Sequence, residues 1–340
     1  MKINNPILIA ELGVNHNGDL ATAKKLIDLV SKAKVNYTKI QIFDSDNFVL
    51  KNSDMAKYQK KNTQNKYKSQ YDMLRNLTLS NKKITNLFNY AKLKKINLFA
   101  SAFDNNSFRF SYSLNKSIIK IPSGEITNTP LLELIGSKNS LTLLSTGMSS
   151  ENEIKQAIKI LLKNGLSIKK LVLMHCVSNY PTELKDLNLS YIPIMKKKFN
   201  CEVGFSDHSM GINASLAAIA LGAKIIEKHF TFDKNAKGPD HKASITFPEL
   251  KQLNQQMIEI YKSLGQSKKI VNSQENQTKK IVRKMIVAAS PIKKGDIFSI
   301  DNIMTIRPMK GLSADNWNKI LGKKSDRNYK KFEKIKFKKI

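Results

Sequence analysis

The sequence predicts a (β/α)8 barrel followed by a small, mostly-β domain. Three observations carry this: eight short apolar runs rich in strand-forming residues, longer amphipathic segments between them, and a change of texture near residue 265. The runs lie near residues 7–12, 37–42, 98–102, 118–121, 141–144, 171–175, 202–205 and 224–228. Between them, segments such as 20–32, 81–93, 151–163 and 213–221 repeat apolar residues at i, i+3 and i+4, the spacing of one helix face. Strands that alternate with helices build parallel sheets, and eight such units in about 250 residues match the size of a closed barrel.

After Leu264 the text becomes QSKKIVNSQENQTKK, polar and without periodicity. The expected division is a catalytic barrel over 1–264, a linker over 265–280 and a small domain over 281–340. In the last, MIVAA at 285–289 reads as a strand, Lys294 and Gly295 as a turn, and a second extended stretch leads to Arg307 and Pro308. About sixty residues make a marginal core, so this domain is expected to dock on a barrel.

Composition narrows the class. At 340 residues and 41% hydrophobic content the chain can bury a full core. Its first apolar run, bounded by Pro6 and Glu11, is too short for a signal-peptide core or a membrane span, which leads to the expectation of a cytoplasmic protein. Two cysteines, Cys176 and Cys201, are too few for a disulfide framework and read as buried thiols. The net charge of +31 invites a nucleic-acid reading. Its distribution opposes one: the only arginines are Arg75, Arg109, Arg283, Arg307 and Arg327, the rest of the 58 basic residues being lysines spread over nearly every helical segment. There is no aromatic-basic RNA-binding signature, no P-loop and no dinucleotide fingerprint.

A barrel keeps its active site at the carboxyl ends of its strands, and the polar residues collect there. Strand one runs into Glu11, Asn15, His16 and Asn17; strand two carries Lys39 and Gln41; strand three ends in Ser101 and Asp104. Strand four gives Lys120, Ser123 and Glu125, strand five Ser145 and Thr146, strand six His175, Ser178, Asn179 and Tyr180. Strands seven and eight end in Ser206, Asp207, His208 and in Lys228, His229. Lys39 and Lys120 bring ammonium groups into the mouth, where a buried charge calls for an anionic partner. The hydroxyls of Ser123, Ser145, Ser178, Ser206 and Tyr180 suit a phosphate and a carboxylate. Glu11, Glu125 and Asp240 supply carboxylates for sugar hydroxyls or proton transfer.

All five histidines (His16, His175, His208, His229, His241) fall at strand ends or in the loop after strand eight. His208 and His229, at one end of adjacent strands, can reach one ion and leave its other positions open, with Asp207 as an acidic neighbour. The alternative for each is a hydrogen-bonded packing histidine.

The motifs AELGVNHNG, KIPSGE, LSTGM, HCVSNYPT, GFSDHS, IEKHFT and GPDHKAS, in this order, resemble those of the sialic acid synthase family, which includes legionaminic acid synthases. The tail, with IKKGDIF, IRPMKGLS and LGKK, resembles the antifreeze-protein-like (SAF) domain that closes those enzymes. The resemblance implies an enzyme that joins phosphoenolpyruvate to N-acetylmannosamine or a related N-acyl amino sugar, releasing phosphate and a nine-carbon 2-keto acid. It implies that His208 and His229 hold a divalent ion, manganese before magnesium or cobalt. It gives Lys39, Lys120, Ser123, Ser145, Ser178, Tyr180 and Ser206 to phosphoenolpyruvate, Glu125 to proton transfer, and Glu11 and Asp240 to the sugar. Arg307 matches an arginine that one subunit inserts into the barrel of the other, so a domain-swapped homodimer is implied. Three departures stand out: Ser178 where the family often has asparagine, ASAF at 100–103 where it has STPF, and Met309 where it has glycine. Two other classes stay open at this point, a catalytically idle sugar-binding scaffold and a basic nucleic-acid-binding protein.

Overall fold

The computed structural model describes residues 5–266 and 268–336. It divides into two compact units with the boundary between Gly265 and Gln266.

The first unit runs β1 (Ile7–Gly13), α1 (Leu20–Lys32), β2 (Tyr37–Ile42), three short helices α2 (Ser45–Phe48), α3 (Lys57–Asn62) and α4 (Gln70–Leu77), then α5 (Asn81–Leu93). It continues β3 (Asn97–Ala102), α6 (Asn105–Leu114), β4 (Ile118–Ile121), α7 (Thr129–Gly136), β5 (Leu141–Ser145), α8 (Glu151–Lys163) and β6 (Leu171–Cys176). It ends α9 (Tyr191–Phe199), β7 (Glu202–Asp207), α10 (Asn213–Ala220), β8 (Ile225–His229) and α11 (Phe247–Leu264). The eight strands are parallel and close in sequence order, β8 pairing back onto β1. The expected barrel is therefore the observed one. Not anticipated from the sequence are the three helices between β2 and α5.

The helices form where caps and apolar spacing agree. In α1 the Asp19 carboxylate accepts from Thr22 N, and Ala23, Leu26, Ile27 and Val30 make one buried face. In α8, Ser150 and Glu153 cap each other's backbone, and Ile154, Ala157 and Leu161 turn inward. These faces join the outward side chains of the strands in one core.

Inside the barrel the strands change character along their length. Ile9, Phe99, Ile118, Leu143, Val172, Met174 and Ile225 form a buried apolar cluster. Gly204 belongs to this layer, and a Cβ there would overlap the Met174 thioether. Because strand side chains alternate, the next inward residue lies two positions on. Those residues are Glu11, Lys39, Ser101, Lys120, Ser145, Cys176, Ser206 and Glu227, all buried. Every strand thus passes from an apolar inward residue, or Gly204, to a polar or thiol one toward its carboxyl end.

The second unit holds α12 (Ser273–Val282), β9 (Met285–Ala288), β10 (Ile303–Ile306) and α13 (Trp317–Ile320), with β9 and β10 antiparallel. Isolated bridges such as Ile292 to Tyr329 and Ile297 to Lys324 extend its β character. Ile286, Ile292, Phe298, Ile303, Ile320 and Tyr329 supply its core. Within the expected linker over 265–280 lies the start of α12, opened by a capping box between Asn272 and Glu275. That helix buries no residue, which is why no periodicity announced it. Among the described residues no helix is long and apolar enough to cross a membrane.

Candidate active site

A cavity of about 400 Å³ opens at the carboxyl ends of the strands. Its floor is a buried charge cluster. Lys120 Nζ, from β4, donates to both oxygens of Glu227 on β8, at 2.7 and 2.8 Å. Lys39 Nζ, from β2, lies 2.6 Å from Glu11 Oε2 and 3.7 Å from Glu227 Oε1, and donates to Ser101 Oγ at 2.7 Å. Ser206 Oγ donates to Glu227 Oε1 at 3.0 Å. Burial lowers the Lys39 ammonium, but Glu11 and Glu227 outweigh it and hold its pKa above the ordinary value. For Lys120 burial wins over Glu227, and its pKa falls. Burial pushes Glu11 up to about 7 against the pull of Lys39. Burial acts the same way on Glu227, yet Lys120 and Lys39 overcome it and keep that carboxylate below the usual range. Glu227 is thus the ionised carboxylate that faces both lysines.

Hydroxyls ring this floor. Ser123, Ser145, Ser178 and Ser206 line the cavity, and Ser123 Oγ accepts from Gly147 N at 3.1 Å. A Cβ on residue 147 would overlap Ser178 Oγ and Ser123 Oγ, so the STGM turn brings bare backbone against the site. Ser145 Oγ is buried without a partner, as is Glu11 Oε1. Buried polar atoms are normally satisfied, so atoms left over beside one cavity mark where a ligand's polar groups belong.

Above the floor stand two imidazoles, with ring centroids 5.6 Å apart. His208 Nδ1 is spent on Val177 O at 2.7 Å, and its Nε2 lies 3.3 Å from Ser206 Oγ. His229 Nδ1 is buried without a hydrogen-bond partner, 3.9 Å from Asp240 Oδ2. Burial lowers His208 to about 4, the Val177 carbonyl opposing, and burial with His208 and Lys39 holds His229 well below its ordinary value. Both rings are therefore neutral, the form that ligates metal. Among the described residues no group of three or more His, Cys, Asp or Glu is arranged around one point. The pair with its orphaned nitrogen fits an ion that takes its other ligands from water or substrate.

One wall is apolar and aromatic: Val14, Phe48, Tyr58, Met73, Leu74, Leu77 and Phe103 line it, many of them from α2, α3 and α4. Tyr180 stands between this wall and the histidines, its ring 4.2 Å from that of His208. Burial pushes Asp240 up to about 6.

Of the residues expected from the sequence, Glu11, Lys39, Gln41, Ser101, Lys120, Ser123, Ser145, Ser178, Tyr180, Ser206, His208, His229 and Asp240 all line this one cavity. Glu125 does not: it follows the lining residue Gly124, and its carboxylate accepts from Asn128 Nδ2 at 2.6 Å. Arg307 belongs to the second unit, directly after β10. Asn179 is exposed, so the hydroxyl of Ser178, not the neighbouring amide, faces the cavity. Asp207, expected beside the metal pair, faces outward: it pairs with Lys228 at 2.9 Å and accepts from Ser209 and Ser215. His16, His175 and His241 are packing histidines, His175 Nε2 on Leu187 O and His241 Nδ1 on Thr231 Oγ1, each at 2.7 Å. Glu227 was missed. Its signal was available: it lies two residues before His229 on one strand, hence on the same face.

The profile of the NeuB family matches residues 26–269, and that of the SAF domain residues 283–331. This chain belongs to the NeuB family. It is 44% identical to a Campylobacter jejuni protein named N,N'-diacetyllegionaminic acid synthase, over 97% of this chain and 98% of that one. It is 38% identical to the Legionella pneumophila protein of the same name, over 94% and 90%. The crystal structure of an N-acetylneuraminic acid synthetase from Leptospira borgpetersenii superposes with a TM-score of 0.71 at 33% identity, covering 81% of this chain and 90% of that one. Relatives in the NeuB family named for their activity are synthases of sialic-type acids, and this member is an enzyme of that class.

Proposed function

We propose that this NeuB-family enzyme condenses phosphoenolpyruvate with a 2,4-diacetamido-6-deoxy sugar aldehyde, giving a nine-carbon 2-keto acid and inorganic phosphate. The observation that carries this reading is the pairing, in one cavity, of a two-lysine floor with a neutral histidine pair and an apolar wall. Lys39, Lys120 and the ring of serines suit the phosphate and carboxylate of phosphoenolpyruvate. The wall suits a deoxy sugar with acyl groups better than one bearing a free hydroxymethyl end. The names of the Campylobacter and Legionella relatives support the same acceptor.

In the reaction, C3 of phosphoenolpyruvate forms a bond to the aldehyde carbon, whose oxygen takes up a proton. Water then adds at C2 and loses a proton, the C2–O bond to phosphate breaks, and the ketone forms. His208 and His229 would hold a divalent ion, manganese before magnesium, which supplies Lewis-acid polarisation of the aldehyde. The lysine floor holds the phosphoenolpyruvate with its C3 turned toward the acceptor. Glu125, raised by burial, is the resemblance's proton-transfer group; here it stands one residue beyond the lining, held by Asn128.

The test is phosphate release from phosphoenolpyruvate with the diacetamido sugar and with N-acetylmannosamine, with manganese and after chelation. Metal-dependent release that prefers the diacetamido sugar is expected. Release that survives chelation removes the metal from the reading; no release with either sugar removes the synthase and leaves the idle scaffold. The implied homodimer is a separate part of the proposal, and a monomeric mass by light scattering would end it.

A further inference from the structure

Asp240 lies in the loop after β8 and lines the cavity, buried, yet its carboxylate is placed by nothing it bonds to. Among the described residues no donor hydrogen-bonds to it, and His229 Nδ1, 3.9 Å from Oδ2, is the one basic nitrogen within 4 Å. A short side chain without bonds of its own lies where its backbone sets it. What holds that backbone therefore decides how the carboxylate faces His229.

Both peptide planes that flank Asp240 are pinned by a side chain. On the far side, Ser244 Oγ donates to Asp240 O at 2.7 Å and accepts from Asn15 Nδ2 at 2.9 Å. Asn15 also donates to Phe230 O at 2.9 Å, so this anchor is rooted in the barrel. On the near side, Asn62 Nδ2 donates to Pro239 O at 2.7 Å. That carbonyl belongs to the planar unit that ends on Asp240, and fixing the planes on both sides leaves φ and ψ of Asp240 little freedom. The two anchors differ in origin. Asn62 is the last residue of α3, whose end is closed by Thr63 Oγ1 donating to Gln59 O at 2.7 Å, and the same helix gives Tyr58 and Gln59 to the cavity wall.

We infer that Asn62 is a positioning residue for Asp240: it ties the wall helix α3 to the carboxylate that faces His229, so that wall and carboxylate are set together. Asn62 does not itself line the cavity and acts only through the loop it holds. This rests on the reading above, in which Asp240 contacts the acceptor sugar, and adds the residue through which the wall acts on it.

The experiment is a double-mutant cycle on the full-length protein, Asn62→Ala against Asp240→Asn. It is read by steady-state kinetics with manganese on whichever sugar the wild type accepts, and by hydrogen exchange of the segment 236–242. Asn62→Ala is expected to lower kcat/KM for the sugar about fivefold, the worth of one neutral hydrogen bond, while the KM for phosphoenolpyruvate moves by less than about twofold. In the Asp240→Asn background the same change should cost less than about twofold, because its effect runs through the carboxylate. Exchange in 236–242 should quicken about fivefold, with that of the barrel strands as in wild type. Asn62→Ser, too short to reach Pro239, carries the test if Asn62→Ala fails to fold by thermal unfolding. A loss that is the same with and without the Asp240 carboxylate, an equal loss on sugar and phosphoenolpyruvate, or unchanged exchange overturns the inference while leaving the synthase standing. Where Asp240→Asn shows no turnover, exchange decides alone. No wild-type turnover on either sugar defeats the synthase reading, and with it the role given to Asn62 in turnover.

Discussion

Two sets of buried lysines meet carboxylates in this barrel, and they differ in what they leave unsatisfied. On the outer side of the strands Lys228 and Asp207 are wholly buried 2.9 Å apart, with Ser209 and Ser215 filling the carboxylate's remaining positions and Ser209 O accepting from the ammonium. On the inner side Lys39, Lys120, Glu11 and Glu227 are just as deeply buried, yet Glu11 Oε1, Ser145 Oγ and His229 Nδ1 beside them find no partner. Buried charge alone does not mark a site; leftover hydrogen-bonding capacity facing a cavity does. The outer pair closes the ends of β7 and β8 so that Ser206, His208, Glu227 and His229 on the opposite faces stay aimed inward.

The sharpest way to break this comparison is to remove one partner from each set. Lys228→Met leaves the buried Asp207 carboxylate its serine hydrogen bonds but no counter-charge, and should destabilise the barrel by roughly 3–5 kcal/mol. Calorimetry would read that as a lowered unfolding midpoint, and adding Asp207→Leu should recover much of it. Lys120→Met should do the reverse: a modest change in midpoint, because cavity water can reach Glu227, but a loss of about 10²-fold or more in kcat/KM for phosphoenolpyruvate. If both substitutions proved equally destabilising and equally damaging to turnover, the distinction drawn between the two sets would collapse.

Acidity sharpens it further. Burial lowers the pKa of His16 and of His241 to about 4, so between pH ~6.5 and ~4 the unfolded chain binds protons that the folded chain refuses. The stability these rings contribute is present above pH ~6.5 and is lost as pH falls toward 4, up to about 3 kcal/mol for a shift of this size. Glu11 and Asp240, raised by burial, run the other way: they favour the folded state at low pH and lose that contribution as pH rises through about 7 and about 6. The comparison of interest is therefore between variants: denaturant titrations of His241→Gln should show a shallower loss on acidification than wild type. The smallest expected effect is that of Ser178→Asn, which restores the residue the resembling family often carries; a change of less than about threefold in the KM for phosphoenolpyruvate would fit a position where either donor serves.

Much of the barrel was legible because strand and helix periods are properties of single segments. Strands at residues 37–42 and 118–121 and helices at 20–32, 81–93 and 151–163 could be placed by spacing alone, and the structure has them there. The three short helices after β2 could not. They have one or two turns each, and their apolar residues serve a separate cluster with Val14, Phe43 and Met55, so no stripe repeats long enough to be read. Around the site, the polar ends of the strands were readable, but facing was only half used: alternation turns Asp207 and Lys228 outward and Glu227 inward, and Glu227 passed unnoticed behind the more conspicuous His229.

The small cluster under α2, α3 and α4 has a further consequence. Its floor and ceiling are made mostly of its own residues, Met55, Met73, Leu74 and Leu77 with Phe48 and Tyr67, set against Val14, Phe43 and Phe103 of the barrel loops. A segment that packs largely against itself can change its lining residues without disturbing the strands that carry Lys39, Lys120 and Glu227. The stretch from Ser45 to Leu77 is thus built like an interchangeable cartridge: re-cut, it reshapes one wall of the cavity while the polar floor beneath stays in place.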